Sequence, residues 1–207
     1  MRRWMRDWHV AHGGVELIFV EANDREIMSG LASHLVDVAI VFTASLNSLV
    51  AALPLFEERL VVAVSTGNEL ASKEAVRWKD IAQHPILLRS WNGSNAYREF
   101  EAGLIGFGAD FRPQKASYLT ILSLVAINEG VCLLTEGYAD LGFPDVVFLP
   151  VAEINATLSL SLAWWPETED AVEGFSCPGS GKTFGTSTIW TGLGGLKDRT
   201  AGFGVSS

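Results

Sequence analysis

Cysteine is nearly absent from this chain: Cys132 and Cys177 are the only two in 207 residues, and there is no CxxC. At most one disulfide can form, and a pair of free cytosolic thiols is the reading that size and cysteine count favour. Basic residues are scarce as well. Fifteen Lys and Arg stand against 24 Asp and Glu, for a formal net charge of −9. Direct binding of DNA or RNA by this chain is therefore not expected, because phosphates need a basic surface. No run approaches the ~20 apolar residues of a membrane span. The N-terminus MRRWMRDWHVAHGG is basic but lacks the apolar segment of a secretory signal. No membrane partner is expected, and the cytoplasm is the expected location.

Catalytic signatures are missing too. There is no G-x-S-x-G, no H-E-x-x-H and no G-x-G-x-x-G after a strand. Glu57 and Glu58 are neighbours in an extended run, so they point to opposite faces and cannot act as a carboxylate pair. Gly179–Thr183 reads GSGKT, but Ser176 stands where a phosphate loop needs its first Gly, and no helical pattern follows. His9 and His12, with Asp7 near, have no third ligand, so a solvated helix face is the simpler reading. No enzymatic activity, cofactor or metal is expected.

What is present is a core. Hydrophobic residues make up 48% of the chain, which suits one domain or two small lobes. Arg2–Ala11 reads as a short amphipathic helix with Trp4 and Trp8 on one face, ended by Gly13-Gly14. Val15–Val20 is almost continuously apolar, as a strand covered on both faces would be. Asn23 can cap the next helix, with Glu26 reaching back in a variant of the capping box. Ile27 and Leu31 follow at helical spacing, and Val38–Phe42 returns as a strand. A helix of that length between two strands points to a parallel crossover. Ligands in such sheets sit beyond the carboxyl ends of the strands, which directs attention to Ala22–Asp24 and to the turn after Phe42.

Leu49–Val64 is a long strand-like region whose Pro54 suits an edge or a bend. Ser72 reads as the cap of a helix carrying Val76 and Ile81, and His84–Arg89 as the strand that crosses into a second lobe. Tyr97, Phe100 and Leu104 form a helical stripe that breaks up at Gly103, Gly106 and Gly108. Phe111–Ser117 reads as a strand, Leu119–Glu129 as a helix, and Val131–Leu134 and Val146–Val151 as buried strands. Leu158, Leu160 and Leu162 alternate with Ser159, Ser161 and Ala163, as in a half-buried strand. From Ser176 the text turns Gly/Ser/Thr-rich without a period, so residues 176–207 are expected to form a flexible or aberrant tail.

VELIFVEANDREIMSGLASHLVDVAIVF, VRWKDIAQHPILLR and LSLVAINEGVCLLTEGYADL resemble the effector-binding domain of LysR-type bacterial transcriptional regulators. The likeness runs from about Arg2 to Phe175. It implies an α/β, two-lobed periplasmic-binding-protein-like fold with mixed sheets flanked by helices. Residues 1–88, with a return strand near 146–165, would form the first lobe and residues 89–145 the second. In the family a strand precedes the first helix and lies inside the sheet, and a winged helix-turn-helix comes before it. Neither is visible in this sequence, so a truncated or separate sensing domain is expected. The family usually has Gly at Asn128 and Pro at Thr135.

The resemblance also implies a site. The turn residues, the loop after the crossing strand and the start of the second-lobe helix line the family's effector pocket. Matched residue by residue, they are Asn23, Asp24, Thr43, Arg89, Ser90, Asn92, Ser94 and Thr120. Free N–H groups at helix starts, with Arg89 as a cation, suit a small organic effector such as a carboxylate. Each of these residues also has a plain reading as a cap or turn residue. A homodimer through the first helix and the second lobe is the implied assembly. The alternative is a periplasmic-type solute-binding protein for a small organic anion, which shares the fold. An enzyme on this scaffold ranks last.

Overall fold

The computed structural model describes residues 6, 9–10, 18–90, 96–166 and 188–191. Of the expected first helix, Arg6, His9 and Val10 are described and helical. Trp4, Trp8, His12, Asn92, Ser94 and Cys177 lie outside the described residues.

Strand β1 (Ile18–Glu21), helix α1 (Asp24–Ala32) and strand β2 (Val38–Phe42) open the fold. The expected capping box is present at α1: Asn23 Oδ1 accepts from the Glu26 N–H at 3.0 Å, and Glu26 Oε2 accepts from the Asn23 N–H at 3.1 Å. Ile27 and Leu31 are fully buried against Ala39, Val41 and Ala163. β1 is not covered on both faces. It ends the sheet, with Ile18 50% and Phe19 39% exposed. An apolar run alone cannot separate a central strand from an edge.

β3 (Ala51–Ser65) is one 15-residue strand, about 50 Å long at ~3.3 Å per residue. Ala51–Arg59 pairs antiparallel with β8 (Thr157–Trp164), and β2 lies on the other side of β8. From Leu60 onward β3 changes partners, pairing with β6 (Cys132–Thr135) on one side and β7 (Val146–Pro150) on the other. Pro54 lies on the stretch of β3 that edges the sheet, at a register shift between Pro54 and Phe56. That is where a residue without an N–H is tolerated. β4 (Ile86–Arg89) pairs parallel with β5 (Phe111–Gln114) and meets the β6 side through a single bridge, Ile86 to Val131. The strand that carries pairing from one set of strands to the next is thus β3, not His84–Arg89.

Helix α2 (Trp78–Ile81) starts where the Asp80 carboxylate accepts from the Arg77 N–H at 3.0 Å. Ser72 caps no helix. It ends a 3-10 turn, Glu69–Ser72, whose cap is Asn68. Helix α3 (Ala96–Ile105) runs through Gly103 and stops before Gly106, whose φ is 120°. α4 (Tyr118–Ala126) is capped by Ser117, and Ile121 and Val125 are fully buried beneath it. Asn128 has φ 63°, the left-handed conformation that asparagine tolerates better than most residues. Gly130 admits no side chain: a Cβ would stand 2.5 Å from the Pro85 carbonyl oxygen. β8 is buried on both faces from Leu160 to Trp164, with Ser161 1% and Ala163 0% exposed. It is an interior strand rather than the half-buried one expected, because both faces are covered: Ala163 packs with Ile27 and Leu31 of α1, and Leu158, Leu160 and Leu162 lie in the main core cluster.

β9 (Thr188–Thr191) falls within the stretch expected to be a tail. It pairs parallel with β1 on one side and with β2 on the other. β1 and β2 are therefore parallel to each other, as expected, but β9 stands between them.

Candidate functional site

Two groups of predicted residues assemble. The first joins the ends of β1 and β2. Asn23 is 8% exposed and its side chain is engaged in the cap of α1. Ser45 donates to Asp24 Oδ2 at 3.2 Å, tying the start of α1 to the 3-10 turn Thr43–Ser45 that follows β2. Thr43 Oγ1 lies 2.8 Å from the buried hydroxyl of Ser161 in β8. The turn is thus held from two directions by short polar side chains.

The second group gathers at the end of β4. The Arg89 guanidinium lies over the Tyr118 ring, 5.1 Å from its centroid, within the range of a cation–π contact. Tyr118 meets Tyr138 edge-on at 5.2 Å. The Ser90 N–H donates to the Gln114 carbonyl at 2.9 Å. Thr120 does not cap α4, since Ser117 does, with its hydroxyl 3.3 Å from the Thr120 nitrogen. Thr120 is exposed at the third position of the helix. Asn92 and Ser94, which would complete the loop after β4, lie outside the described residues.

Aromatic rings extend the first group onto α3, where Tyr97 feels the charges of Tyr118 and Tyr138. Phe42, at the end of β2, packs on Phe100 at 4.9 Å and on Tyr97 at 6.0 Å, both on α3. Tyr97 also hydrogen-bonds Glu101, which is 1% exposed. Burial holds the Glu101 carboxyl well above the usual value of 4.5, and the Tyr97 bond offsets part of the rise. Burial pushes the Tyr138 hydroxyl up to about 12. Arg89 acts against that rise, while Glu21, Cys132 and Glu58 add to it. Glu21 ends β1 and Glu58 lies on β3, so Tyr138 stands in the field of both groups.

Sequence reasoning finds the turns and misses their partners. The alternation of β8 hides Ser161. Ser45 sits in a turn whose sequence shows only that it is polar. Tyr118 and Tyr138 belong to no motif, yet an aromatic beside an arginine-bearing strand end is a signal worth weighing. Among the described residues no three His, Cys, Asp or Glu side chains come together as a metal group. Among them too, no helix is long and apolar enough to cross a membrane, and Cys132 is a buried free thiol.

Comparison with known proteins bears on this arrangement. The family described as LysR substrate binding domain matches residues 1–173. No curated protein matches the chain in sequence. The effector-binding domain of BenM, solved with its effector benzoate, superposes with a TM-score of 0.68 at 20% identity, covering 86% of this chain and 89% of that one. The regulatory domain of reduced OxyR from Pseudomonas aeruginosa gives 0.67 at 17% identity, covering 82% and 86%. Full-length CbnR bound to its target DNA gives 0.72 at 14% identity, covering 80% of this chain and 59% of that one. Against a full-length BenM variant the chain spans 56% of the longer protein. At these identities the likeness is one of fold, and it agrees with the two-lobed, periplasmic-binding-protein-like architecture.

Proposed function

The chain belongs to the LysR substrate binding domain family, and on that premise we propose that it is the effector-sensing part of a LysR-type transcriptional regulator. The observation that supports this reading is that two polar groups stand near one another. Asp24, Thr43 and Ser45 gather beside the Phe42–Tyr97–Phe100 cluster, Arg89 gathers with Tyr118 and Tyr138, and Tyr97 is near enough to Tyr118 and Tyr138 to feel their charges. We assign the effector to the class of small organic acids, as BenM is described with benzoate. Its carboxylate would face Arg89 and the Ser90 hydroxyl, since Glu21, Asp24 and Glu58 disfavour an anion on their side. Thr43 and the residues at 92, 94 and 120 would complete the lining. Residues 18–59 and 156–164 would form one lobe and residues 60–151 the other.

The proposal extends to regulation. Effector binding would favour one of two arrangements of a homodimer, by its differential affinity for them. The dimer would pair through its first helix and second lobe in the cytoplasm. With a net charge of −9, operator binding is assigned to a part of the regulator outside these 207 residues.

Thermal unfolding of residues 1–207 with aromatic and aliphatic acids tests the reading. One acid class should raise the midpoint, by ~2.7 kcal/mol of stabilisation at a hundredfold excess over Kd. Arg89→Ala should remove that shift while leaving a cooperative transition. Absence of any shift across the panel, or a shift unchanged in Arg89→Ala, would reject the assignment.

A further inference from the structure

The site-bearing turns hang from β1 and β2, and these strands do not touch each other. Adjacent strands stand ~4.8 Å apart, so the separation of β1 from β2 leaves a slot one strand wide. β9 occupies it in parallel register on both sides: Ile18, Phe19, Val20 and Glu21 align with Thr188, Ile189, Trp190 and Thr191, and Val38, Ala39 and Ile40 align with Ile189, Trp190 and Thr191. Emptying the slot would strand the backbone N–H and C=O groups of β2 on that side. With β9 in place Val38, Ala39, Ile40 and Val41 are each at most 3% exposed, and emptying the slot would remove the ladder that β9 makes along β2 and leave a raw sheet edge. β1 would lose its only sheet neighbour among the described strands, and a lone four-residue strand is not stable.

The sequence of the insert fits the role. Thr-Ile-Trp-Thr is β-branched and aromatic throughout, which favours extended backbone. It follows GSGKTFGTS and precedes GLGG, so glycines flank it on both sides.

We propose that β1 and β2 frame a strand-acceptor slot, and that residues 188–191 of the same chain are its built-in strand donor. The C-terminal segment is then a working part of the sheet that spaces the Asn23–Asp24 turn from the Thr43 turn. This holds whether or not the site binds an organic acid, since it rests on strand pairing alone.

Cysteine cross-linking in the full 207-residue chain, with Cys177→Ser to remove a competing thiol, tests the register. Ala39→Cys with Trp190→Cys places two thiols at aligned positions, within disulfide reach. Val41→Cys with Thr188→Cys is four residues out of register, about 13 Å at ~3.3 Å per residue. The first pair should oxidise to an intramolecular disulfide in monomers and the second should not. In parallel, Trp190→Pro removes a ladder donor. Amide hydrogen exchange at residues 38–40 should then quicken at least about tenfold relative to residues 61–64, which report on the rest of the fold. Equal yields from the two pairs, cross-links only between chains, or unchanged exchange at residues 38–40 would overturn the proposal.

Discussion

The two halves of the molecule share β3 but are closed in different ways. Among the described residues, the half built on Leu60–Ser65 draws its strands and helices from residues 60–151, without a strand from elsewhere in the chain. Its interior is dense: Val62, Ala63, Val64, Ile86, Ile121, Val125 and Val131 are all fully buried. The half built on Ala51–Arg59 needs β8 from beyond that block and β9 from the far end of the described chain, and its last strand, β1, is exposed. A contiguous half forms from contacts of short range. A half closed by distant strands depends on loop closures that come late and cost more entropy. The predicted ligand turns at Asp24 and Thr43 belong to the second kind.

The largest expected effect contrasts the two directly. Leu133 is 1% exposed in β6, and Leu133→Ala should cost about 2–5 kcal/mol. Ile18→Ala, at the exposed edge strand, should cost under ~1 kcal/mol, because half of the side chain is already in water. Urea unfolding of both variants measures the gap. Equal losses would mean that β1 matters to stability as much as β6 does, and the contrast would fail.

The next effect lies between the halves and depends on pH. Glu101 on α3 is buried and holds its proton to higher pH folded than unfolded, chiefly because burial penalises the charge. The folded state therefore binds more protons than the unfolded state above the unfolded value near 4.5. Stability should be undiminished below that pH and fall as pH rises, by at most ~1.4 kcal/mol per pH unit from this one group. Glu101→Gln copies the neutral acid and removes the titration. Its melting temperature should exceed that of the parent near pH ~8 and converge with it below the unfolded value, where the parent carboxyl is neutral in both states. A constant difference across that range would show that Glu101 does not couple folding to protons.

Legibility from sequence follows the same division. Elements set by local chemistry are readable: the Asn23–Glu26 box, the long run of β3 with its tolerated Pro54, the α4 stripe and the left-handed Asn128. Features set by distant partners are not. Val15–Val20 looks like a central strand, and only the position of β1 at the end of the sheet exposes it. Leu158–Leu162 alternates like a half-buried strand, and only the packing over its second face, where Ala163 meets Ile27 and Leu31 and Ser161 meets Thr43, buries Ser161. Thr188–Thr191 carries a fair strand signal, but a Gly/Ser/Thr-rich setting masks it, and no local rule pairs it with residues 18–21 and 38–40. The candidate site shows the same pattern. Its turns follow from the family resemblance, while Ser45, Ser161, Tyr118 and Tyr138 emerge only from the fold.

The smallest effect separates a cap from a ligand contact at Asn23. The capping role is visible: Asn23 Oδ1 accepts from the Glu26 N–H at 3.0 Å. Asn23→Ala should cost ~1 kcal/mol, a fall of roughly 2–4 °C in Tm for a chain of this size. Asn23→Ser keeps a capping oxygen and should lose only a few tenths of a kcal/mol. If Asn23 serves the helix alone, Asn23→Ser binds an organic acid with the same midpoint shift as the parent, and Asn23→Ala shows that full shift from a lower starting temperature. If the amide also touches the effector, Asn23→Ser keeps the starting temperature and loses much of the shift, because serine cannot replace the amide N–H donors. Melting both variants with and without ligand decides between a residue that shapes the turn and one that reads the ligand.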